Sequence, residues 1–169
     1  MFKKEKAIIE AKRLLEKYDI TEPIVNVLKI AESEGLEISF VTMPEEYSNV
    51  SGFLNKEEKT IVVNKNDSVT RKSFTIAHEL GHYILDHKPG EYGLLYRKSM
   101  GEYEKIPKEM EANCFAANLL VPEDMLKDVM KKMSLGRNDS WIIAKIFGVS
   151  EQMMEYRLKS ARFNPLCLF

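Results

Sequence analysis

The sequence lacks the features of a secreted scaffold and of a membrane protein. It contains two cysteines, Cys114 and Cys167, in 169 residues, which are too few for the disulfide framework that replaces a large core in small secreted proteins. Its apolar runs are all shorter than the roughly 20 residues that a helix needs to cross a bilayer. The basic start of the chain leads directly into charged residues, as no secretory signal does. We therefore expect a cytoplasmic protein without a membrane partner.

A large excess of either charge is also absent. The 25 lysines and arginines nearly balance the 26 aspartates and glutamates, which leaves a formal net charge of −1. The overall charge therefore gives the chain no electrostatic reason to bind nucleic acid or anionic lipid, and a partner has to be argued from a local site. With 44% hydrophobic residues, the chain is large enough to bury one good core.

The hydrophobic pattern predicts an α+β fold. Three short apolar stretches separated by polar turns predict a small antiparallel or mixed sheet with a hairpin, over residues 36–42, 50–54 and 60–64. Helical spacing predicts helices over residues 3–18, 23–34, 70–86, 107–120, 123–133, 138–147 and 150–161. Residues 91–106 show no clear period and are predicted to form a loop. We expect one main unit, which includes the N-terminal helices, over residues 1–122 and a helical appendage over residues 123–169.

One motif in the helix over residues 70–86 has the chemistry of a metal site. His78, Glu79 and His82 form the pattern H-E-x-x-H. Residues four apart lie about 40° apart around a helix and one turn along it, so both imidazoles can reach one tetrahedral zinc ion. Glu79 points about 100° away from His78, where it can accept a proton from an attacking water as general base. The residues that flank the motif in its helix are apolar enough to be buried. Burying two histidines without a partner would cost free energy.

The third ligand is less well determined by the sequence. His87 is a candidate by residue type, but it lies about 180° around the helix from His78 if the helix continues that far. A carboxylate is the alternative, and Glu111 stands in a run that is apolar on nearly every side. A carboxylate there needs a cation or several donors, although an acid in the first turn of a helix is also common. Glu109 is interpreted as such a first-turn acid.

Two blocks of the sequence resemble the ImmA/IrrE family of metallopeptidases. The first block runs from Thr75 to His82, and the second is Glu111-Ala112-Asn113 followed by an apolar stretch that ends at Pro122. The resemblance implies a zincin-like core over about residues 35–122, in which the glutamate of the second block, Glu111, completes the zinc site with His78 and His82. It also implies a sheet edge that can pair with an extended peptide. Members of this kind cut helix-turn-helix repressors and so release transcription, which implies a repressor as substrate.

The segment over residues 140–158 gives a competing hypothesis. Ala144 and Gly148 have the spacing of a helix-turn-helix, in which they would occupy the helix crossing and the turn. The alternative function is therefore a DNA-binding transcriptional regulator with a vestigial or structural metal site. The face that would enter the major groove contains Glu151 and Glu155, whose carboxylates would oppose phosphate. A packing or substrate-docking appendage agrees better with this charge.

Overall fold

A computed structural model describes residues 4–88 and 107–160, with the side chain of Ser160 excepted. Its elements confirm the predicted α+β class. The predicted loop over residues 91–106 lies outside the described residues. The described residues form seven α-helices, in chain order α1 (Lys4–Lys17), α2 (Val27–Ser33), α3 (Val69–Ile84), α4 (Pro107–Leu120), α5 (Glu123–Lys132), α6 (Ser140–Phe147) and α7 (Glu151–Ser160).

The second helix begins four residues later than Pro23, where the sequence pattern placed its start. Asn26 is its N-cap, and the side-chain oxygen of Asn26 accepts a hydrogen bond from the backbone N–H of Lys29 at 3.1 Å. An asparagine at this position satisfies a backbone N–H that has no partner within the helix. Gly35 follows the helix with a φ of 86°, a backbone conformation that glycine adopts without steric cost.

The sheet has three strands among the described residues and is mixed, one of the two arrangements that the sequence predicts. Strands β1 (Glu37–Val41), β2 (Gly52–Asn55) and β3 (Thr60–Asn64) lie in the order β1-β3-β2, with β1 parallel and β2 antiparallel to β3. A hairpin is predicted within this sheet, and the structure forms it from β2 and β3. The alternation along β3 buries Ile61 and Val63 fully, because alternate side chains of a strand point to the same face.

The sheet packs against α3, and glycine at one position permits a close approach. A Cβ atom at Gly52 would collide with the backbone oxygen of Val62 and would lie 2.6 Å from Thr75 Cγ2 of α3. Thr75 and the next seven residues of α3 are all buried, so the helix has core on every side over two turns. This helix forms the centre of the molecule, with the sheet on one side and α4 on another.

The C-terminal helices share the hydrophobic core with the rest of the chain. Ile143, Phe147 and Met154 are buried in the same cluster as Leu14 of α1 and Phe115 of α4. Gly148 ends α6 with a φ of 66°, in the left-handed conformation that commonly ends a helix. The predicted boundary between residues 122 and 123 remains a prediction. Among the described residues, no helix has both the length and the apolar character that a membrane crossing requires.

Candidate metal centre

The two histidines of the motif lie side by side in the buried part of α3. Ser68 begins this helix as its N-cap, and its hydroxyl accepts a hydrogen bond from the backbone N–H of Arg71 at 3.3 Å. His78 and His82 are 1% and 0% exposed, and their Nε2 atoms are 2.9 Å apart. The helical spacing predicted from the sequence therefore brings both rings to one point.

The carboxylate that joins this pair belongs to Glu109. Its Oε2 atom lies 3.1 Å from His78 Nε2, and its Oε1 atom lies 3.3 Å from His82 Nε2. One possible ligand atom from each of the three residues lies within 4.8 Å of those of the other two. All three residues are buried. The described residues thus contain a group of two imidazoles and one carboxylate with the spacing that a metal ion requires.

Glu111, which the sequence and the family resemblance favoured as the third ligand, is not in this group. Its Oε2 atom lies 3.1 Å from His87 Nε2. Residues 109 and 111 are about 200° apart around a helix, so only one of them can face the histidine pair. Glu109, which we interpreted as a first-turn acid, is 6% exposed and points into the site. The group that could hold a metal ion therefore contains Glu109, and the ligand role of Glu111 stays a prediction of the resemblance.

A close contact between α3 and α4 brings Glu109 to the histidines. A Cβ atom at Gly81 would lie 2.9 Å from Phe115 Cδ1 and 3.3 Å from both the Cα atom and the backbone oxygen of Ala112. Glycine at position 81 therefore lets the two helices approach each other. Because Glu109 and Asn113 are four residues apart, they share the face of α4 that meets the site.

Asn113 determines the ring orientation of His78. Its Oδ1 atom lies 2.8 Å from His78 Nδ1, and an amide oxygen can only accept a hydrogen bond. His78 Nδ1 therefore carries the ring proton, and in the neutral ring Nε2 presents its lone pair toward His82 and Glu109. This is the ring state that a histidine needs in order to bind a metal through Nε2.

His87 lies beside His82 because α3 ends before it. Asp86 has a φ of 55°, the backbone N–H of His87 donates to the carbonyl of His82 at 3.0 Å, and that of Asp86 donates to Tyr83 at 3.1 Å. These two bonds form a Schellman motif, which reverses the chain at the end of a helix. His87 Nδ1 then lies 2.9 Å from His82 Nδ1. Our assumption that the helix continues had placed His87 on the opposite side.

The electrostatics of the centre favour an ionised Glu109 and a neutral His87. Burial acts to raise the pKa of Glu109, but the side chains of His78 and His82 beside it outweigh burial and hold that pKa well below its usual range. Glu109 is therefore ionised at neutral pH. Burial, followed by repulsion from His82, lowers the pKa of His87 below its usual value, although the hydrogen bond with Glu111 opposes this change. A lowered pKa keeps His87 neutral at physiological pH.

These donor atoms fit a divalent metal ion. Two neutral imidazoles and a carboxylate are one of the protein ligand sets of catalytic zinc sites, which leave a fourth position open. A nitrogen lone pair and carboxylate oxygens at these separations repel one another in a buried site unless a cation lies among them. Glu79 follows His78 directly and is fully buried, while it is not among the three grouped residues.

Comparison with known proteins agrees with this site. The family model described as the IrrE N-terminal-like domain, which represents a peptidase family, matches residues 31–159. The chain belongs to this family. The ImmA/IrrE resemblance seen in the sequence is thereby confirmed, and the family together with the grouped residues supports a metallopeptidase that binds a metal ion.

The chain is also similar to two relatives in sequence and to one solved structure in fold. Metallopeptidase ImmA of Bacillus subtilis (strain 168) is 24% identical over 135 residues, which are 79% of this chain and 75% of that protein. Uncharacterized immunity region protein 2 of Bacillus phage phi105 is 33% identical over 79 residues, 46% of this chain and 48% of that protein. A Mycobacterium tuberculosis transcriptional regulator matches 97% of this chain and 49% of its own length, with a TM-score of 0.66 and 16% identity, which shows the fold alone. The chain thus spans about half of the latter two proteins.

Proposed function

We propose that this chain is a zinc-dependent endopeptidase in which His78, His82 and Glu109 hold the metal. The observation that carries the proposal is the meeting of two histidine Nε2 atoms with a buried carboxylate where α3 contacts α4. Zinc is favoured over magnesium or calcium, because those ions prefer oxygen ligands alone. The family membership supports the peptidase reaction.

Glu79 is proposed as the general base of this reaction. When bound, zinc would polarise the scissile carbonyl and lower the pKa of a water molecule toward about 7. Glu79 would accept the proton of the attacking water and return it to the leaving amine. Its position next to His78 in a rigid buried helix would hold its carboxylate in a constant place beside the metal ligands.

The proposed substrate is a helix-turn-helix repressor, whose cleavage would release transcription. The support comes from the resemblance to the ImmA/IrrE family and from two relatives: the one from Bacillus subtilis is named a metallopeptidase, and the one from Bacillus phage phi105 an immunity region protein. A repressor acts on DNA inside the cell, so this substrate agrees with a cytoplasmic location. The net charge of −1 leaves substrate selection to local contacts.

The test is a cleavage assay with repressors encoded beside the gene of this protein. The zinc-loaded chain should produce discrete fragments of one repressor, a chelator should stop cleavage, and added zinc should restore it. The His78→Ala variant should be inactive, because two ligands do not hold catalytic zinc. Cleavage that continues in the presence of chelator and in His78→Ala would contradict the zinc mechanism. Zinc binding without cleavage of any neighbouring repressor would contradict the proposed substrate.

A further inference from the structure

Three buried side chains form a continuous line that leads away from the metal centre. Glu111 Oε2 lies 3.1 Å from His87 Nε2, and His87 Nδ1 lies 2.9 Å from His82 Nδ1. Glu111 and His87 are each 7% exposed, and His82 is fully buried. The proposed metal ligands do not include His87 or Glu111, so this burial of polar groups needs another explanation.

We infer that His87 and Glu111 are positioning residues that hold the ring of His82 with its Nε2 lone pair directed at the metal. This inference rests on the proposed metal centre of His78, His82 and Glu109. The line of hydrogen bonds is Glu111 to His87 to His82, and it ends on the ring nitrogen opposite to the proposed metal-binding atom.

The acceptors along this line determine where each ring proton lies. A carboxylate oxygen accepts hydrogen bonds, so His87 donates from Nε2 to Glu111. In this tautomer the lone pair of His87 lies on Nδ1, where it accepts from Nδ1 of His82. The single ring proton of His82 then lies on Nδ1, and its Nε2 atom has a lone pair that is directed at the proposed metal position. Hydrogen bonds of this type fix the tautomer and orientation of metal-binding histidines and increase their basicity.

The two metal-binding rings are supported in parallel ways from two helices. Asn113 accepts from His78 Nδ1 at 2.8 Å, as His87 accepts from His82 Nδ1. Asn113 and Glu111 both come from α4, while His87 is delivered by the Schellman turn that ends α3. Glu111, the glutamate of the Glu-Ala-Asn block, is thereby connected to the proposed metal position through His87 and then His82.

The test is a zinc-affinity measurement by competition with a chelator at fixed pH. His87→Ala and Glu111→Gln should each bind one zinc per chain with an affinity about 10–100-fold lower than the wild type. His87→Asn should lose less than His87→Ala, because the asparagine oxygen can accept a hydrogen bond near the position of Nδ1. Lys88→Ala is the control, since Lys88 is the exposed neighbour of His87, and its affinity should not change. Glu109→Gln should show the largest loss of all the glutamate variants.

A second readout reports the tautomer directly. Nitrogen-proton NMR of the histidine rings in the zinc-loaded protein should show the ring proton of His82 on Nδ1, and its exchange with water should be faster in His87→Ala. Thermal melting by circular dichroism checks folding, and the isosteric Glu111→Gln carries the test if His87→Ala does not fold.

The outcomes separate this inference from the proposed function. Wild-type affinity in both His87→Ala and Glu111→Gln, with unchanged exchange of the His82 proton, would overturn the positioning role and leave the metal centre intact. Retention of zinc by Glu109→Gln together with its loss by Glu111→Gln would make Glu111 the direct ligand and would overturn both. Failure of the wild type to bind zinc would overturn the positioning role and the proposed zinc centre together.

Discussion

Two glutamates of α4, two residues apart, have different surroundings. Glu109 contacts both histidine Nε2 atoms, and Glu111 contacts His87. Both are almost equally buried, so burial alone does not distinguish them. The rotation of α4 about its own axis decides which one faces His78 and His82, and that rotation depends on tertiary packing that a single sequence does not display.

The spacing of polar residues along α4 indicates that Glu109 faces the histidines. Glu109 and Asn113 are four residues apart and therefore lie on one face, and an asparagine within an apolar helix requires a hydrogen-bond partner. If Asn113 faces the histidines, Glu109 must face them as well. The motif H-E-x-x-H predicted directly that His78 and His82 lie side by side, because the spacing within a single helix is independent of packing.

The role of Glu79 can be tested separately from metal binding. The Glu79→Gln variant should keep one zinc per chain and the wild-type fold, because glutamine is nearly isosteric and the three grouped residues remain. Cleavage of the repressor should fall by roughly two to four orders of magnitude, the usual effect of removing a general base. Metal analysis and the fragment assay measure the two effects.

The exposed Glu57 of the β2–β3 turn provides the matched control. Glu57→Gln should retain both zinc and cleavage, since it makes the same chemical change far from the motif in sequence. Loss of zinc in Glu79→Gln would reassign Glu79 to the ligand set, and unchanged cleavage would exclude it as general base.

At the scale of elements, the contact between α3 and α4 builds the site. Gly81 lets Ala112 and Phe115 of α4 approach α3 closely, and this approach brings Glu109 to His78 and His82. The glycine costs helix stability, by about 1 kcal/mol relative to alanine in an exposed helix. Its presence in the middle of a buried helix is explained by the space that α4 occupies.

Substitution of this glycine should therefore affect stability and metal affinity together. In Gly81→Ala the added methyl group has contacts of 2.9 Å and 3.3 Å, so α4 must shift, and overpacking of this kind costs about 1–3 kcal/mol. After the gain in helix propensity of about 1 kcal/mol, we expect the free energy of unfolding to fall by up to about 2 kcal/mol. Zinc affinity should fall as well, because Glu109 moves with α4.

Gly136→Ala is the matched control for this prediction. A Cβ atom at Gly136 would have Asp139 Oδ2 at 3.6 Å as its nearest neighbour, and its φ is −104°, which alanine adopts. Chemical denaturation should give an unchanged or slightly higher stability, by up to about 1 kcal/mol. Equal effects of the two substitutions on stability and zinc affinity would contradict the role assigned to the α3–α4 contact.

The sequence predicted most elements within a few residues, and the differences lie where side chains act on the backbone. The strands and α3 were found because their apolar periods are strong. The start of α2 depends on the cap at Asn26, and the end of α3 depends on Asp86 in a left-handed conformation. Non-glycine residues seldom adopt that conformation, so the turn that returns His87 to His82 could not be predicted from the residue types.

At the scale of the whole molecule, the centre combines two helices that the chain order separates. His78 and His82 come from α3 and Glu109 from α4, with residues 85–106 between these helices. Both helices share one hydrophobic cluster with the sheet and the C-terminal helices. A bound metal would thus connect two buried elements, and its binding free energy would stabilise the folded chain.

The C-terminal helices agree with a role other than DNA recognition. Glu151, Gln152 and Glu155 are exposed on α7, while Arg157 is buried and donates from Nε to the backbone oxygen of Val121 at 3.0 Å. Two exposed carboxylates oppose the phosphate backbone, and this arginine is used inside the protein. Residues 123–169 remain a proposed appendage that packs on the peptidase unit or helps to bind its substrate.

The most direct measurement of the central claim is a crystal structure of the zinc-loaded protein with anomalous diffraction on both sides of the zinc edge. The account predicts one zinc ion per chain, bound by His78 Nε2, His82 Nε2 and a carboxylate oxygen of Glu109 at about 2.0–2.2 Å. His87 and Glu111 should lie behind His82 without contact to the ion. An ion bound by Glu111 or His87 in place of Glu109, or no anomalous peak between α3 and α4, would contradict it.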